Sequence, residues 1–165
     1  MASVRRADPF ILAILILSIL IVSGGVLFAY KTSKPLELTT YSEEATDKPI
    51  LELSAEHLDL GEMKVSETRT AEVILENKGT RTLEIYNIST SCDCTFVQLE
   101  IGEEKSPLFT MHSSRENWVG KIEAGNRAKL TVIYEPARMP VQGKVERFVL
   151  FNTNDPFKPE INVHV

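Results

Sequence analysis

The amino-acid sequence predicts an all-β protein, a two-layer β-sandwich of about seven strands, preceded by one N-terminal transmembrane helix. Residues 10–30 contain no charged side chain, and residues 31–49 mix Pro, Ser, Thr and acidic residues. From residue 50 onward, apolar residues recur at every second position between turn residues, which is typical of short strands. The predicted organisation is a cytoplasmic tail (1–9), a transmembrane signal anchor (10–30), a linker (31–49) and a sandwich (50–165).

The apolar run from Phe10 to Tyr30 is long enough to cross a membrane. As a helix it would cover about 31 Å, the thickness of a hydrocarbon core, and a helix satisfies its own backbone hydrogen bonds in lipid. Arg5 and Arg6 precede the run, and the positive-inside bias places them in the cytoplasm. We therefore expect a single-pass membrane protein whose C-terminal domain is extracytoplasmic. A cleaved signal peptide is the alternative, since it also begins with basic residues before an apolar run.

The charge of the chain bears on its partners. The sequence has 18 Lys+Arg and 23 Asp+Glu, and without Arg5, Arg6 and Asp8 these become 16 and 22. Nucleic-acid binding needs clustered basic side chains that neutralise phosphates. We therefore expect no nucleic-acid partner. Besides the membrane, which residues 10–30 contact, we expect another extracytoplasmic or membrane protein as the partner.

Alternation predicts which side chains face the core of the sandwich. The predicted strands are ILELS, HLDLGEM, TAEVILENKG, RTLEIYNIS, AKLTVIYEP, VERFVLFNTNDP and INVHV. The residues predicted to share an inward face within their strands are Leu58, Leu60, Ala71, Val73, Leu75, Leu83, Ile85, Leu130, Val132 and Tyr134. Tyr86 and Ile88 are predicted on the opposite face, and either Phe148 and Leu150 or Val149 and Phe151 face inward. Gly79 is expected to permit positive φ in the turn after Asn77. Six to eight such strands are typical of an immunoglobulin-like sandwich.

Several short motifs carry a resemblance to a known family. They are Leu60-Gly61, Asn77 to Gly79, Cys92 to Thr95, Ala124-Gly125, Tyr134 to Pro136 and Asn152 to Asn154. In this order they resemble the bacterial domain-of-unknown-function family 1573, an immunoglobulin-like domain similar to Hydin-type (ASH) and major-sperm-protein-type sandwiches. The resemblance covers about residues 50–165 and implies a fold and a location, but no reaction. Asp93 stands where the family usually has a glycine between the two cysteines. Residues 99–121 form an insertion that is longer than the corresponding segment of the family.

The stretch TSCDCTF contains both cysteines of the chain. In an extended strand the Cβ atoms of residues i and i+2 are roughly 6.6 Å apart, whereas a disulfide needs roughly 3.5 to 4.5 Å, so a bridge requires a bend at Asp93. Three roles stay open: buried structural thiols, a bridged or redox-active pair, and soft-metal ligands for an ion such as Cu(I) at Cys92 and Cys94. A zinc site would need four ligands, and the three histidines show no ligand spacing relative to the pair.

The sequence offers no nucleophile, base and orienter in a recognisable spacing, and we predict a protein that is not an enzyme and uses no cofactor. The predicted function is that of a membrane-anchored, extracytoplasmic binding or adaptor module. Its partner contact is expected at an edge strand or at Phe109 and Trp118 of the insertion. The alternative for Trp118 is packing on its own sandwich. The rival hypothesis is an extracytoplasmic copper-binding or thiol-redox protein acting through Cys92 and Cys94.

Overall fold

The structure, a computed structural model, describes residues 9–32, 37–113 and 118–165. The chain divides into two units between Glu37 and Leu38, each of which is described by itself. Residues 1–8, including the two arginines of the predicted cytoplasmic tail, lie outside the described ranges. So do residues 33–36 of the predicted linker and 114–117 of the predicted insertion.

The first unit contains one helix, α1, from Pro9 to Thr32. Its two serine hydroxyls are satisfied within the helix, because Ser18 and Ser23 donate to the carbonyl oxygens of the residues three positions earlier. The segment Pro9–Phe28 is long and apolar enough to cross a membrane, and a signal peptide near the N-terminus would have the same properties. The helix is therefore compatible with a membrane anchor and with a signal peptide.

The second unit is a sandwich of two antiparallel sheets, which confirms the predicted fold class. Its strands, counted within the described residues, are β1 (Leu51–Leu53), β2 (Arg69–Asn77), β3 (Leu83–Thr90), β4 (Thr95–Ile101), β5 (Glu104–Lys105), β6 (Val119–Ile122), β7 (Arg127–Tyr134), β8 (Phe148–Thr153) and β9 (Glu160–His164). One sheet has the order β1-β2-β7-β4-β5 and the other β6-β3-β8-β9. The count exceeds the expected seven because β4, β5 and β6 were not among the predicted segments, whereas the predicted segment HLDLGEM forms no strand.

The core lies between the sheets, and the alternation of β2 and β7 predicted it correctly. Val73, Leu75, Leu130 and Val132 are all buried on one face. In β8 the alternative with Val149 and Phe151 inward is the one observed, since both are buried while Phe148 and Leu150 are not. Burying this many aliphatic side chains, at about 25 cal/mol per Å² of apolar surface, is the main force that holds the two sheets together.

The prediction that Ile88 lies on the face opposite Leu83 and Ile85 is wrong. Ile88 is buried in the core together with Leu83 and Ile85. The reason is Asn87, whose φ of 53° interrupts the strand while the register between β3 and β8 shifts. Asparagine adopts this left-handed conformation more readily than most residues, and the resulting bulge reverses the side-chain alternation beyond it.

The stretch HLDLGEM is a loop, not the strand that was predicted. Only His57 forms an isolated bridge, to His164 of β9. The Arg69 guanidinium donates to the carbonyl oxygens of Leu60 and Glu62, and Gly61 turns the chain with a φ of 67°. Since these carbonyls are bound by a side chain, they are not available to a neighbouring strand.

Buried polar groups close the end of the sandwich at which β2 ends, which we call the polar end. The Asn77 amide donates to the carbonyl oxygens of Arg81 (2.7 Å) and Ile122 (2.9 Å), and its Oδ1 accepts from the N–H of Gly79 (3.0 Å). Gly79 does not have positive φ, contrary to expectation. A Cβ atom there would meet the backbone of residues 48–50, so the glycine permits a close approach of two chain segments.

Replacing Asn77 by Ala should lower the free energy of unfolding by about 3 kcal/mol, because it leaves buried backbone groups without partners. Urea unfolding of the full-length chain in detergent, followed by Trp118 fluorescence, measures this. Asn126→Ala is the matched control, since the Asn126 side chain is exposed and should change the value by less than about 0.5 kcal/mol. Equal effects of the two substitutions would contradict the role given to Asn77.

Candidate functional site

The two cysteines lie in a turn between β3 and β4, not in a strand, and they form a disulfide bond with Cα atoms 5.2 Å apart. The Thr95 N–H donates to the Cys92 carbonyl oxygen (3.1 Å) and closes the turn. Within the described residues Asn87 is the only non-glycine residue with positive φ, so Asp93 makes this turn without the conformation that favours glycine. The bend at Asp93 that a bridge required is therefore present.

Backbone and side-chain hydrogen bonds hold this turn in place. The Thr90 hydroxyl lies 3.0 Å from the Cys92 carbonyl oxygen and 2.9 Å from that of Thr95. The Glu135 N–H donates to the Cys94 carbonyl oxygen (2.8 Å). The Cys94 N–H points at the Cys92 sulfur (3.0 Å). The backbone of the turn is thus satisfied on both sides, by β3 and by the segment after β7.

The disulfide belongs to a small apolar cluster that is separate from the main core. Cys92 is 5% exposed and Cys94 is fully buried, and both pack with Tyr134. Leu60, Met63 and Val145 cover the cluster from the neighbouring loops. We call this part of the sandwich the cysteine end.

Two side chains of the loop between β7 and β8 contact the sulfur atoms. The Met139 Sδ lies 3.5 Å from the Cys92 Sγ, and the Arg147 Nε lies 3.2 Å from the Cys94 Sγ. Met139 follows a single 3-10 turn, Pro136–Arg138. Arg147 is fixed by two backbone hydrogen bonds to Val165, both 2.8 Å long. A thioether and a guanidinium therefore reach the disulfide from opposite ends of one loop.

Further charges line the cysteine end. Next to Arg147, the hydrogen bond from the Lys144 ammonium lowers the pKa of the Glu146 carboxyl. Glu146 is thus ionised at neutral pH and forms an ion pair with Lys144, not with the Arg147 guanidinium. Asp93 and His112 approach each other to 3.7 Å at the surface. In the part of the chain that the structure describes, no group of three or more His, Cys, Asp and Glu residues could hold a metal ion.

The second predicted site, at Phe109 and Trp118, has a different geometry from the one expected. Phe109 is 1% exposed and belongs to the main core. Trp118 packs edge-on against it, with ring centroids 5.3 Å apart, as in the alternative given for this residue. Phe109 also pairs with Val97 through two backbone hydrogen bonds and extends the sheet beyond β4. Partner binding through these two residues stays an untested prediction.

Sequence reasoning missed Met139 and Arg147. Neither belongs to a motif, and each reaches the cysteines from a loop about 50 residues further along the chain. The same holds for the outward backbone N–H and C=O groups of β9. No local spacing could have indicated them, because the strand order of the sandwich brings them into place.

These features define an immunoglobulin-like sandwich with a disulfide-bonded turn at one end. The chain belongs to the HYDIN/CFA65/VesB-like, Ig-like domain family, whose model matches residues 49–165. This agrees with the resemblance to Hydin-type sandwiches drawn from the motifs.

The chain is similar to solved structures from Porphyromonas gingivalis W83 and from human. A protein of unknown function from Porphyromonas gingivalis W83 superposes with a TM-score of 0.54 at 20% identity, covering 74% of this chain and 47% of that one. This chain thus spans about half of that protein. The ASH/PapD-like domain 7 of human CEP192 gives a TM-score of 0.44 at 15% identity, covering 80% and 89%. A search of curated proteins finds no match.

Replacing Phe109 by Ala should lower the free energy of unfolding by about 3 to 5 kcal/mol, as expected for loss of a buried aromatic ring. Urea unfolding monitored by circular dichroism measures this, because the substitution also alters the surroundings of Trp118. Phe157→Ala is the control: its ring is 56% exposed, and its loss should cost less than about 1 kcal/mol. A Phe109→Ala variant as stable as the control would show that the ring is not a core residue.

Because Cys92 and Cys94 form a disulfide, we expect the chain to react with a thiol reagent only after reduction. The full-length chain, unfolded without a reductant, should take up no iodoacetamide, and after reduction it should take up two equivalents, since each disulfide yields two thiols. Intact-mass spectrometry counts the labels. Two labels without prior reduction would show that the native chain contains free thiols.

Proposed function

We propose that the protein is a membrane-anchored, extracytoplasmic, non-catalytic adaptor that binds an extended segment of a partner protein along the open edge of β9. The anchor is α1, and the cytoplasmic position of Arg5 and Arg6 stays a prediction. The narrower likeness to family 1573 supports the same extracytoplasmic setting. The observation that carries the proposal is the set of backbone groups that β9 directs away from its sheet.

The register of β9 shows which of its backbone groups face outward. Arg147 and Val165 exchange two hydrogen bonds, and the Thr153 N–H donates to the Pro159 carbonyl oxygen. In an antiparallel pair such bonded positions alternate with positions whose N–H and C=O point away from the neighbouring strand. Glu160 and Asn162 are in the outward-pointing positions. Each presents one donor and one acceptor to an added strand.

A segment of the chain itself, Glu56 to Leu58, already pairs with this edge at the C-terminal end of β9. The His164 N–H donates to the Glu56 carbonyl oxygen and the Leu58 N–H donates to the His164 carbonyl oxygen, both at 2.8 Å. His57 thereby forms a parallel bridge with His164. The edge of β9 therefore has the geometry for strand addition. Glu160 and Asn162 lie on the same edge as His164, and their outward backbone groups are available to a partner strand.

A cavity of about 540 Å³ lies beside these positions. Its lining includes Tyr86, Phe157, Glu160 and Asn162. Phe157 is 56% exposed and offers an apolar contact next to the open edge. Burial, followed by the charges of Glu84 and Glu160, raises the pKa of Tyr86, so its hydroxyl stays protonated. The hydroxyl donates a long hydrogen bond to the Thr153 carbonyl oxygen (3.5 Å), and its oxygen can accept one from a partner. Main-chain bonds along the edge would supply affinity, and this cavity would select a side chain of the partner.

Photo-crosslinking tests the proposal. In cells that produce the full-length chain, p-benzoylphenylalanine at position 157 should crosslink a partner protein. Asn162→Pro should abolish this crosslink, because proline lacks the outward N–H, while the fold persists since that N–H is not bonded to β8. Asn162→Ala is the matched control, which keeps the backbone donor and should keep the crosslink.

Circular dichroism and urea unfolding verify that both variants fold. If a folded Asn162→Pro variant forms the same crosslink as Asn162→Ala, the β9 edge is not the interface. A chain that carries p-benzoylphenylalanine at position 157, keeps Asn162 and yields no crosslink would equally contradict a partner at this edge.

A further inference from the structure

We propose that reduction of the disulfide creates a Cu(I) site in which Cys92, Cys94 and Met139 supply three sulfur ligands and Arg147 balances the charge. This site lies at the cysteine end. It does not depend on the β9 edge or on the adaptor function proposed above.

The first argument is the kind of ligand that the structure brings together. Thiolate and thioether sulfurs are soft ligands that select Cu(I) over harder ions. The Met139 Sδ lies 3.5 Å from the Cys92 Sγ, and the second cysteine sulfur is bonded to the first. Methionine has an unbranched, flexible side chain, so small rotations adjust its sulfur to an ion between the three atoms.

The loop around Met139 is ordered by its own contacts, which favours a prearranged ligand. The Arg138 guanidinium donates to the Glu135 carboxylate (2.6 Å) and lies over the Phe96 ring. The Met139 N–H donates to the Pro136 carbonyl oxygen (3.1 Å). These bonds hold the residue that follows the 3-10 turn over the cysteines.

The second argument is charge. A Cu(I) ion bound by two thiolates and a neutral thioether carries a net negative charge, which is costly to bury without a counter-ion. The Arg147 guanidinium is 3.2 Å from the Cys94 Sγ and is positively charged at any physiological pH. The neighbouring Glu146 carboxylate is paired with Lys144. Arg147 is therefore placed to compensate the charge of the copper complex.

The site forms in two chemical steps. A dithiol donor transfers two electrons and two protons to the disulfide, so the S–S bond breaks, two thiols form and the donor becomes a disulfide. When Cu(I) binds, the two thiols release their protons and copper–sulfur bonds form. Cys92 is nearly buried, whereas Met139 is 48% exposed, so displacement of the Met139 side chain opens a path for both reactants.

The fold should survive reduction. The cysteines are separated by two positions in the sequence, so their bond closes a very short loop and constrains the unfolded chain much less than a long-range disulfide would. The hydrogen bonds of Thr90 and Glu135 to the turn do not require the S–S bond. The bond is therefore better placed to control access to the sulfurs than to hold the sandwich together.

A Cu(I) titration under anaerobic conditions tests the proposal. The full-length chain in detergent is reduced with a water-soluble phosphine and desalted, and Cu(I) is supplied as its bicinchoninate complex. The reduced wild type should withdraw one Cu(I) per chain, with three sulfur neighbours in X-ray absorption. The oxidised chain is the matched control and should withdraw none.

Variants assign the ligands. Cys92→Ser combined with Cys94→Ser should abolish binding. Met139→Leu, which keeps the volume, should weaken binding at least about tenfold and leave two sulfur neighbours, and Arg147→Gln should weaken it by about the same factor. Met111→Leu is a control outside the sulfur group and should bind like the wild type.

Three results would overturn the proposal. The first is a reduced, folded chain that takes no Cu(I) from bicinchoninate. The second is a Met139→Leu variant with wild-type affinity and an unchanged number of sulfur neighbours. The third is a reduced chain that has lost its β-sheet circular dichroism, since the disulfide would then hold the fold instead of covering a metal site.

Discussion

Buried polar side chains that join the two sheets at the polar end are the constraint on which the rest of the sandwich depends. The Asp155 carboxylate, in the turn after β8, accepts hydrogen bonds from the N–H of Leu51 in β1 (2.7 Å) and of Phe157 (2.9 Å). The Asn77 amide, at the end of β2, reaches the Ile122 carbonyl oxygen in β6. The bond to Leu51 and the bond to Ile122 each connect one sheet with the other, whereas the bond to Phe157 fixes the turn after β8. Hydrophobic burial sets the distance between the sheets, but it is non-directional, so these bonds supply the alignment.

The sequence predicted the regular parts of the fold and missed the places where a single side chain changes the backbone. Alternation is reliable in β7, where one face is buried along its whole length, and in the second half of β2, where Val73, Leu75 and Asn77 are buried on one face. It failed beyond Asn87, where one left-handed residue reverses the faces and brings Ile88 inside. It failed again before β2, where the Arg69 guanidinium binds the carbonyl groups of a segment with a strand-like pattern. Both failures arise from contacts that a period of two does not encode.

The candidate site was predicted in part, for a similar physical reason. The two cysteines are separated by a single residue in the sequence, so their proximity was visible, and their chemical state was left open because it depends on a bend at Asp93. Phe109 was expected to contact a partner because it lies in a predicted insertion that contains many polar and charged residues. In the structure it pairs with Val97, and this pairing turns its ring into the core. The position of the side chain was decided by the partner strand, not by the composition of the loop.

The pairing of β2 with β7 has a kinetic consequence. Arg69 faces Tyr134 across this pair, and β4 completes the other side of β7, so the centre of the sheet is assembled from distant parts of the chain. Folds dominated by such non-local pairings fold in milliseconds to seconds, far more slowly than a short loop closes. The turn at Asp93 is closed by a local hydrogen bond, from the Thr95 N–H to the Cys92 carbonyl oxygen. An oxidant can therefore join Cys92 to Cys94 in the nascent chain, before the loop that carries Met139 arrives to cover them.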